Sequence, residues 1–332
     1  MNQRYRPITH LGLGGTGLGD MYHTTSDEAS HATVDAAWDA GIRYFDTAPH
    51  YGAGLSEHRF GQALRGRARD DYTLSTKVGR LLVPDAAGEI QSPFVSSLPF
   101  RRVIDFTADG ARRSVEDSLQ RLALGHIDIV YVHDLSPDAF GDQFEHYFEV
   151  AAGPGGAFEG LVRLREEGTI KGWGLGVNTV EPCLRALRQS DPDIFLLAGR
   201  YTLMETTPLD ELFPLCAERG ANVVLGGPFN SGFLAGGEHY DYRPAKPEHH
   251  ARRERLRQVA ARHKVDLPAA ALQFGMAHPV AVATIPGASS AHHLRRNAAQ
   301  MDAAIPAQFW AELVAEGLLP PDAPLPRDGA AR

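Results

Sequence analysis

Cysteine is scarce in this sequence, with only Cys183 and Cys216 among 332 residues. Two distant thiols without a Cys-x-x-Cys spacing exclude a disulfide framework and a cysteine-based zinc site. The motif His-Glu-x-x-His is missing, and the adjacent pairs His249–His250 and His292–His293 lack the spacing of metal ligands. The sequence therefore predicts no metal centre.

Long apolar runs and an excess of positive charge are missing as well. The first ten residues contain no apolar core of signal-peptide length, and no later run approaches the length of a membrane span. The formal net charge of −8 argues against a nucleic-acid-binding surface. We therefore expect a cytoplasmic protein that acts on a small molecule, without nucleic-acid or membrane partners. No feature of the sequence indicates its oligomeric state.

Short β-forming runs alternate with longer amphipathic runs along the whole chain, which is typical of a parallel sheet covered by helices. The predicted strands are Ile8–Leu13, Arg43–Phe45, Tyr72–Val78, Ile127–His133, Gly172–Val177, Ile194–Ala198, Asn222–Gly226 and Val280–Ile285. The predicted helices are Ser26–Ala40, Ser56–Leu64, Ala108–Leu124, Phe158–Glu167, Pro182–Gln189, Leu209–Arg219, His249–His263, Pro268–His278 and Ala291–Gln300. Eight strand–helix units favour a single-domain α/β fold, a closed (β/α)8 TIM barrel over residues 1–319, over a doubly wound open sheet. Residues 320–332 are predicted to form a flexible tail.

Three connections are longer than ordinary loops, namely Gly79–Thr107, Leu135–Pro154 and Asn230–Glu248. Each follows a predicted strand, so in a barrel all three lie at the carboxyl face, where active sites form. Loops of this length are often functional lids. We therefore expect these three loops to surround the substrate.

The segment from Gly12 to Gly17 matches the pattern Gly-x-Gly-x-x-Gly of dinucleotide-binding folds. That fingerprint requires a helix that begins inside the motif, and here residues 18–25 intervene before any helix signal. We therefore interpret the segment as a turn after the first strand. Its backbone can still approach a ligand closely, so Gly15 and Thr16 are candidate cofactor contacts.

Four polar side chains stand at the ends of consecutive predicted strands. Asp46 and Tyr51 follow the second strand, Lys77 lies near the end of the third and His133 ends the fourth. In a barrel all four converge on one mouth. Asp46, Tyr51 and His133 each have a structural explanation alone, such as a turn cap or a packed ring. Lys77 does not, because a lysine towards the buried end of a strand needs a counter-charge. The joint placement of the four favours a catalytic site. Ser56, just beyond, is the predicted N-cap of the next helix.

The four side chains suit proton transfer at an alcohol or carbonyl oxygen. A phenol has an ordinary pKa of about 10, and a neighbouring ammonium favours the phenolate, so Lys77 is expected to lower the pKa of Tyr51. Asp46 would pair with Lys77, and His133 would orient the substrate oxygen. Proton transfer at an alcohol oxygen accomplishes redox chemistry only with hydride transfer at carbon, which implies a nicotinamide cofactor.

The motifs FDTAPHYG at residues 45–52, LSE at 55–57, STK at 75–77 and VHD at 132–134 resemble those of the aldo-keto reductase superfamily. The resemblance extends from about Ile8 to Asn297. It implies a (β/α)8 barrel that binds NAD(P) in an extended conformation, with Asp46, Tyr51, Lys77 and His133 as the catalytic residues.

The resemblance also implies cofactor contacts outside the catalytic set. The implied contacts are Asn178 at the nicotinamide amide, Gly227, Pro228 and Phe229 after the seventh strand, and Pro286, Gly287, Ser289, His293 and Asn297 around the last strand. Relatives that prefer NADP usually place lysine and arginine where this chain has Gly287 and His293. We therefore expect NAD to be preferred, with NADP as the alternative, since Arg295 or Arg296 could bind a 2′-phosphate.

The stretches FDTAPHYGAGLSE at residues 45–57, LLAGRYTLM at 196–204 and GGPFNSGFL at 226–234 are similar to those of aldose 1-dehydrogenases acting on L-fucose, D-threo-aldoses or L-galactose. Pyridoxal 4-dehydrogenase is also similar. The resemblance thus implies an NAD(P)-dependent dehydrogenase that oxidises a cyclic hemiacetal to its lactone. A general NADPH-dependent aldehyde reductase is the alternative activity. The intact set of four residues argues against a regulatory subunit without turnover. A barrel hydrolase is disfavoured because the sequence shows no carboxylate pair or metal cluster.

Overall fold

The computed structural model describes residues 4–326, which form a closed parallel barrel surrounded by helices. Eight strands are hydrogen-bonded side by side in the order in which they follow one another along the chain. Parallel bridges from Leu11 to Thr284 and from Gly14 to Gly287 join the first strand to the last. The predicted (β/α)8 barrel is therefore confirmed, and the open doubly wound sheet is excluded.

The strands alternate with helices as the sequence pattern indicates. The barrel strands are β1 (Leu13–Gly14), β2 (Tyr44–Asp46), β3 (Thr73–Val78), β6 (Ile127–His133), β7 (Ile170–Val177), β8 (Ile194–Ala198), β9 (Asn222–Gly226) and β12 (Ala281–Ile285). The strands outside the barrel are β4 (Arg80–Pro84), β5 (Phe100–Ile104), β10 (His239–Tyr240) and β11 (Arg243–Pro244). The helices are α1 (Asp27–Asp39), α2 (Leu55–Leu64), α3 (Ala108–Leu122), α4 (Pro137–Phe140), α5 (Phe144–Ala152), α6 (Ala157–Glu166), α7 (Glu181–Gln189), α8 (Leu212–Arg219), α9 (Pro247–Arg262), α10 (Leu267–Gly275), α11 (Ala291–Met301) and α12 (Ala307–Ala315).

Buried apolar side chains form two separate groups. The larger group fills the layer between the barrel and its helices. The smaller group fills the barrel interior and consists of Tyr44, Ile129, Tyr131, Ile194, Leu196, Val224, Val282, Ala283 and Ile285. The interior group closes the barrel beneath its carboxyl face, so the polar side chains at the strand ends stand on an apolar base.

The three long connections contain secondary structure that the sequence analysis did not predict. The first holds an antiparallel hairpin of β4 and β5, the second holds α4 and α5, and the third holds the short pair β10 and β11. Each follows a barrel strand, so the expectation that all three lie at the carboxyl face is confirmed.

Two local predictions around the first turns are wrong. The first strand is limited to Leu13–Gly14, whereas Ile8–Leu13 was expected. Helix α2 has Gly54 as its N-cap, with a left-handed φ of 95°, and not Ser56. Ser56 lies inside the helix, where its hydroxyl donates to the Gly15 carbonyl at 2.8 Å and accepts from Thr47 Oγ1 at 2.9 Å.

The boundary proposed at residue 319 stays a prediction. Leu318, Leu319 and Ala323 are buried, and Ala323 belongs to the larger apolar group. The last part of the predicted flexible tail, residues 327–332, lies outside the described residues.

Candidate active site

Asp46 and Lys77 form a buried ion pair at the carboxyl ends of neighbouring strands. Lys77 Nζ donates to Asp46 Oδ2 at 2.7 Å and to the Thr47 carbonyl at 2.9 Å. Both charged side chains are nearly inaccessible to water. A buried ammonium requires a counter-charge, and the pairing predicted from the sequence supplies it.

Tyr51 and His133 lie directly above this ion pair. Lys77 Nζ is 4.7 Å from the centroid of the Tyr51 ring. The His133 ring stands edge-on to Tyr51, with 5.8 Å between the ring centroids. The structure therefore brings the four predicted catalytic residues together at one mouth.

The pKa of Tyr51 differs from the prediction. Burial raises it well above its ordinary value, the carboxylates of Asp46 and Asp134 raise it further, and only Arg80 opposes them. The expectation of a lowered pKa is wrong for this structure, because burial and the two carboxylates outweigh the neighbouring positive charge. Tyr51 is therefore a neutral phenol in the protein without a bound substrate.

Both histidines of the mouth are neutral. Burial holds the pKa of His133 well below its ordinary value, and the charges of Arg80 and Lys77 add to this effect. His50, the residue before Tyr51, has a pKa lowered to about 2, first by burial and then by neighbouring cations. Each ring offers one donor and one acceptor nitrogen at neutral pH.

The long first loop supplies residues that the sequence analysis did not single out. Arg80 of β4 binds Asp134 at 3.0 Å and donates to the His133 carbonyl at 3.4 Å. Phe94 stacks on Tyr51, with the ring centroids 5.8 Å apart and the planes inclined by 30°. The only sequence signal for Arg80 was its position three residues after Lys77.

The predicted cofactor residues near the ends of β12 and β1 adjoin each other. The Gly14 amide donates to the Pro286 carbonyl at 3.1 Å. A Cβ atom on Gly287 would lie 3.4 Å from Thr16 Oγ1, so these two residues are neighbours. Gly15 is tied to β2, because its amide donates to the Asp46 carbonyl at 2.8 Å.

Helix α11 presents its N-terminus beside this junction. Ser290 caps the helix by accepting from the His293 amide, and Ser289 Oγ lies 3.4 Å from His293 Nδ1. The N-terminus of a helix favours anions such as a pyrophosphate. Asn297, on the same helix, is buried.

The second group of predicted cofactor residues follows β7 and β9. The backbone carbonyl of Asn178 accepts from Arg200 Nε at 2.5 Å, so this contact does not use the side-chain amide of Asn178. The hydroxyl of Thr179 is buried without a partner. These groups suit a carboxamide, which offers both a donor and an acceptor.

The three residues after β9 form a bend. Gly227 has a left-handed φ of 53°, and Pro228 is buried. The Phe229 ring is partly buried and packs against the larger apolar group. This contact limits the ring's freedom to stack on a nicotinamide.

Two clefts lie beside these residues. One, of about 530 Å³, is lined by Asn178, Thr179, Arg200 and residues of the β10–β11 loop. The other, of about 710 Å³, lies between the segment 234–236 and helices α9, α10 and α11, where Arg296 and Gln300 line it. Gln300 Oε1 is buried without a partner and can accept from an amino group. The sizes of the two clefts and the polar groups that line them are compatible with the two ends of an extended dinucleotide.

Two further properties hold for residues 4–326. That part of the chain contains no cluster of three or more His, Cys, Asp or Glu side chains arranged to hold a metal ion. None of its helices combines the length and the apolar character needed to cross a membrane.

Comparison with known proteins identifies the family. Residues 10–316 match the model of the aldo/keto reductase family. The chain is 40% identical to pyridoxal 4-dehydrogenase of Microbacterium luteolum, over 94% of this chain and 95% of that protein. It is 38% identical to D-threo-aldose 1-dehydrogenase of a Pseudomonas species, over the same shares of the two chains. L-Galactose dehydrogenase of Arabidopsis thaliana is 27% identical, over 88% of this chain and 84% of that protein.

Solved structures agree with this result. The holo form of an aldo-keto reductase of Bacillus halodurans aligns with a TM-score of 0.70 at 26% identity, over 96% of both chains. A glycerol dehydrogenase of Gluconobacter oxydans shares the fold, with a TM-score of 0.72 at 20% identity over 100% of this chain and 98% of that one. The chain thus belongs to the aldo/keto reductase family and is an NAD(P)-dependent oxidoreductase of that type.

Proposed function

We propose that this enzyme oxidises a cyclic hemiacetal to its lactone with NAD(P), and that Tyr51 accepts the hydroxyl proton. The observation that carries the proposal is the Tyr51 ring lying 4.7 Å from the ammonium of a buried Lys77–Asp46 pair. This arrangement places a phenol where a proton can pass between a substrate hydroxyl and the protein.

Each residue of the site has a proposed part in the reaction. When bound, the nicotinamide supplies the hydride acceptor. Tyr51 takes the proton of the anomeric hydroxyl, and the ammonium of Lys77 stabilises the phenolate from below its ring. Asp46 holds Lys77 in place. His133, a neutral imidazole, donates to or accepts from the reacting oxygen and so orients the substrate.

Similarity to two relatives supports a cyclic hemiacetal as the substrate. Similarity to the D-threo-aldose 1-dehydrogenase, at 38% identity, supports an aldose as the substrate of this enzyme. L-Fucose, a D-threo-aldose and L-galactose are the proposed candidates. At 40% identity, the pyridoxal 4-dehydrogenase makes pyridoxal the second candidate. Both candidates present a hydroxyl on a ring carbon that carries one hydrogen. An aldehyde reductase dependent on NADPH remains the alternative, and a cytoplasmic location is part of the proposal.

A cofactor-reduction assay distinguishes these activities. Purified enzyme is mixed with NAD or NADP and, separately, with L-fucose, D-arabinose, L-galactose and pyridoxal. We expect reduced cofactor from at least one of the four. Reduction of simple aldehydes by NADPH, together with no oxidation of any member of this panel, would refute the hemiacetal proposal.

The absence of fixed charge at two positions supports a preference for NAD. Gly287 is exposed and has no side chain to hold a 2′-phosphate. Burial lowers the pKa of His293, and the nearby Arg296, His292 and His23 lower it further, so this ring is uncharged at neutral pH. A 2′-phosphate therefore lacks the charge-assisted hydrogen bonds that these two positions could supply.

The double substitution Gly287→Lys with His293→Arg is expected to shift the preference towards NADP. A Cβ atom at residue 287 makes only ordinary contact, so a lysine fits there. Hydrogen bonds to charged groups of this kind should raise kcat/KM for NADP relative to NAD by about 10- to 100-fold. The control is His292→Arg, which adds a single arginine next to position 293 instead of at it. An equal rise in the control, or none in the double variant, would contradict the assignment of these residues to the 2′-phosphate.

The directions of the pKa shifts predict the pH dependence of oxidation. Tyr51 accepts a proton only when ionised, and its pKa is raised; kcat/KM for oxidation should therefore rise with pH across about pH 7–10. His133 stays neutral because its pKa is lowered, so it should add no limb near pH 6–7. Profiles of the wild type and of His133→Gln test this. A limb near pH 6.5 that disappears in His133→Gln would show that His133 titrates.

A further inference from the structure

A line of buried hydroxyl groups runs from the catalytic carboxylate into the barrel interior. Ser75 Oγ lies 2.6 Å from Asp46 Oδ1, on the side of the carboxylate opposite Lys77. Tyr44 Oη lies 3.2 Å from Ser75 Oγ, and Tyr131 Oη lies 3.2 Å from Tyr44 Oη. The side chains of all three hydroxyl residues are inaccessible to water.

The direction of each hydrogen bond follows from the charge on Asp46. An ionised carboxylate only accepts, so Ser75 must donate its single proton to Asp46. Ser75 has no second proton, and Tyr44 must therefore donate to Ser75. For the same reason Tyr131 must donate to Tyr44. The hydroxyl chain Tyr131–Tyr44–Ser75 thus points all its protons towards the carboxylate.

The hydroxyl chain lies in unusually apolar surroundings. The other members of the interior apolar group are aliphatic, and a phenol is costly in such a place unless it is hydrogen-bonded. Burial and the charge of Asp46 raise the pKa of both Tyr44 and Tyr131, so both remain donors at any working pH. An apolar setting also strengthens electrostatic contacts along such a chain.

The groups that face Asp46 from the surrounding elements divide into two kinds. Lys77 of β3 is the cation, and it counters the burial that raises the pKa of the carboxyl, as does the hydrogen bond from Ser75. Tyr51, after β2, is a neutral phenol, and His133 of β6 is a neutral imidazole. Of these groups, Lys77 is the one that would remain to favour the ionised form of Asp46 if the hydroxyl chain were removed.

We propose that Ser75, Tyr44 and Tyr131 are positioning residues that hold Asp46 in its ionised form and so keep Lys77 charged beneath Tyr51. This role rests on the proposed catalytic function of the Lys77–Asp46 pair. Its consequence is that buried residues beneath the mouth of the barrel set the pH range in which the enzyme works.

Removal of the first hydroxyl should have the largest effect. A hydrogen bond to a charged group is worth enough that Ser75→Ala should raise the midpoint of Asp46 protonation by about one pH unit or more. Tyr44→Phe should raise it by a smaller amount, since it weakens the Ser75 bond without deleting it. Ser75→Thr keeps the hydroxyl and should restore the wild-type midpoint.

The test follows the protonated carboxyl band in infrared difference spectra recorded over a pH titration. The band is assigned to Asp46 by its loss in Asp46→Asn. The acid limb of kcat/KM is recorded on the same variants and should move in the same direction. Tyr72→Phe is the matched control, because Tyr72 is a buried phenol outside the chain whose hydroxyl has no partner.

Two results would overturn the proposal. Titrations of Ser75→Ala and Tyr44→Phe that coincide with those of wild type and Tyr72→Phe would show that the hydroxyls only fill space. A shift in Ser75→Ala without one in Tyr44→Phe would reduce the chain to a single local bond. The infrared titration needs no substrate, so its outcome is independent of whether any hemiacetal is oxidised.

Discussion

Tyr51→Phe should lower kcat for oxidation by about 10²–10⁴-fold, the usual contribution of a positioned acid or base. The variant keeps the ring that packs against Phe94 and His133 and removes only the oxygen that accepts the proton. Affinity for the cofactor should therefore stay unchanged. Steady-state kinetics and titration of cofactor binding by fluorescence measure the two quantities on the same preparation.

The control for this prediction is Tyr22→Phe, which removes the phenolic oxygen of another, exposed tyrosine. It should leave kcat within a few-fold of the wild-type value. If Tyr51→Phe retained full activity, Tyr51 would not be the proton acceptor. If it bound the cofactor much more weakly, its effect would be one of binding rather than of proton transfer.

Lys77→Met should destabilise the protein as well as inactivate it. The substitution leaves Asp46 buried without its cation, and breaking a buried pair in this way costs about 3–5 kcal/mol in the free energy of unfolding. Urea denaturation at neutral pH measures the loss. Lys171→Met is the matched control, because Lys171 pairs with Asp128 at 2.7 Å while its own side chain is 41% exposed, and it should cost only about 0–1 kcal/mol.

The loss in Lys77→Met should shrink as the pH falls. Burial raises the pKa of Asp46, and Lys77 is the main group that opposes this. Without Lys77 the folded protein holds the carboxyl proton more tightly than the unfolded chain does. Stability then decreases as pH rises from the unfolded pKa through the folded one, and recovers on acidification.

A second substitution checks this explanation. Asp46→Asn combined with Lys77→Met removes the unpaired charge and should recover part of the lost stability at neutral pH, though not the activity. Equal destabilisation of the single and double variants at every pH would contradict the ion-pair account.

The convergence of the four proposed catalytic residues was predictable because strand ends in a barrel meet at one face. Asp46, Lys77 and His133 each end or nearly end a strand whose pattern is clear in the sequence. Tyr51 follows in a turn only five residues after Asp46. Short-range sequence position therefore determined most of the geometry of this site.

The features that sequence reasoning missed depend on contacts between distant residues. Strands β4 and β5 pair with each other outside the barrel sheet, and neither has the continuous apolar pattern of a barrel strand. Ser56 has the chemistry of an N-cap, yet its hydroxyl is taken by the Gly15 carbonyl, 41 residues away in sequence. The chain resumes as α12 beyond the last predicted helix, a segment that carries no catalytic motif.

The pKa of Tyr51 shows why charge proximity alone was insufficient. The sequence indicated that an ammonium would lie near the phenol, which is correct. It did not indicate that burial and two carboxylates would outweigh that ammonium. The hydroxyl chain behind Asp46 was hidden for a similar reason, because Tyr44 and Tyr131 read in the sequence as ordinary apolar members of strands.

The central claim is that hydride leaves the hemiacetal carbon and a lactone forms. The most direct measurement uses L-fucose, D-arabinose, L-galactose and pyridoxal, each deuterated at that carbon, with product and reduced cofactor analysed by mass spectrometry at early times. The account predicts deuterium on the reduced nicotinamide and an equal amount of lactone from at least one substrate. Deuterium retained in every recovered substrate, or a product oxidised at another carbon, would contradict it.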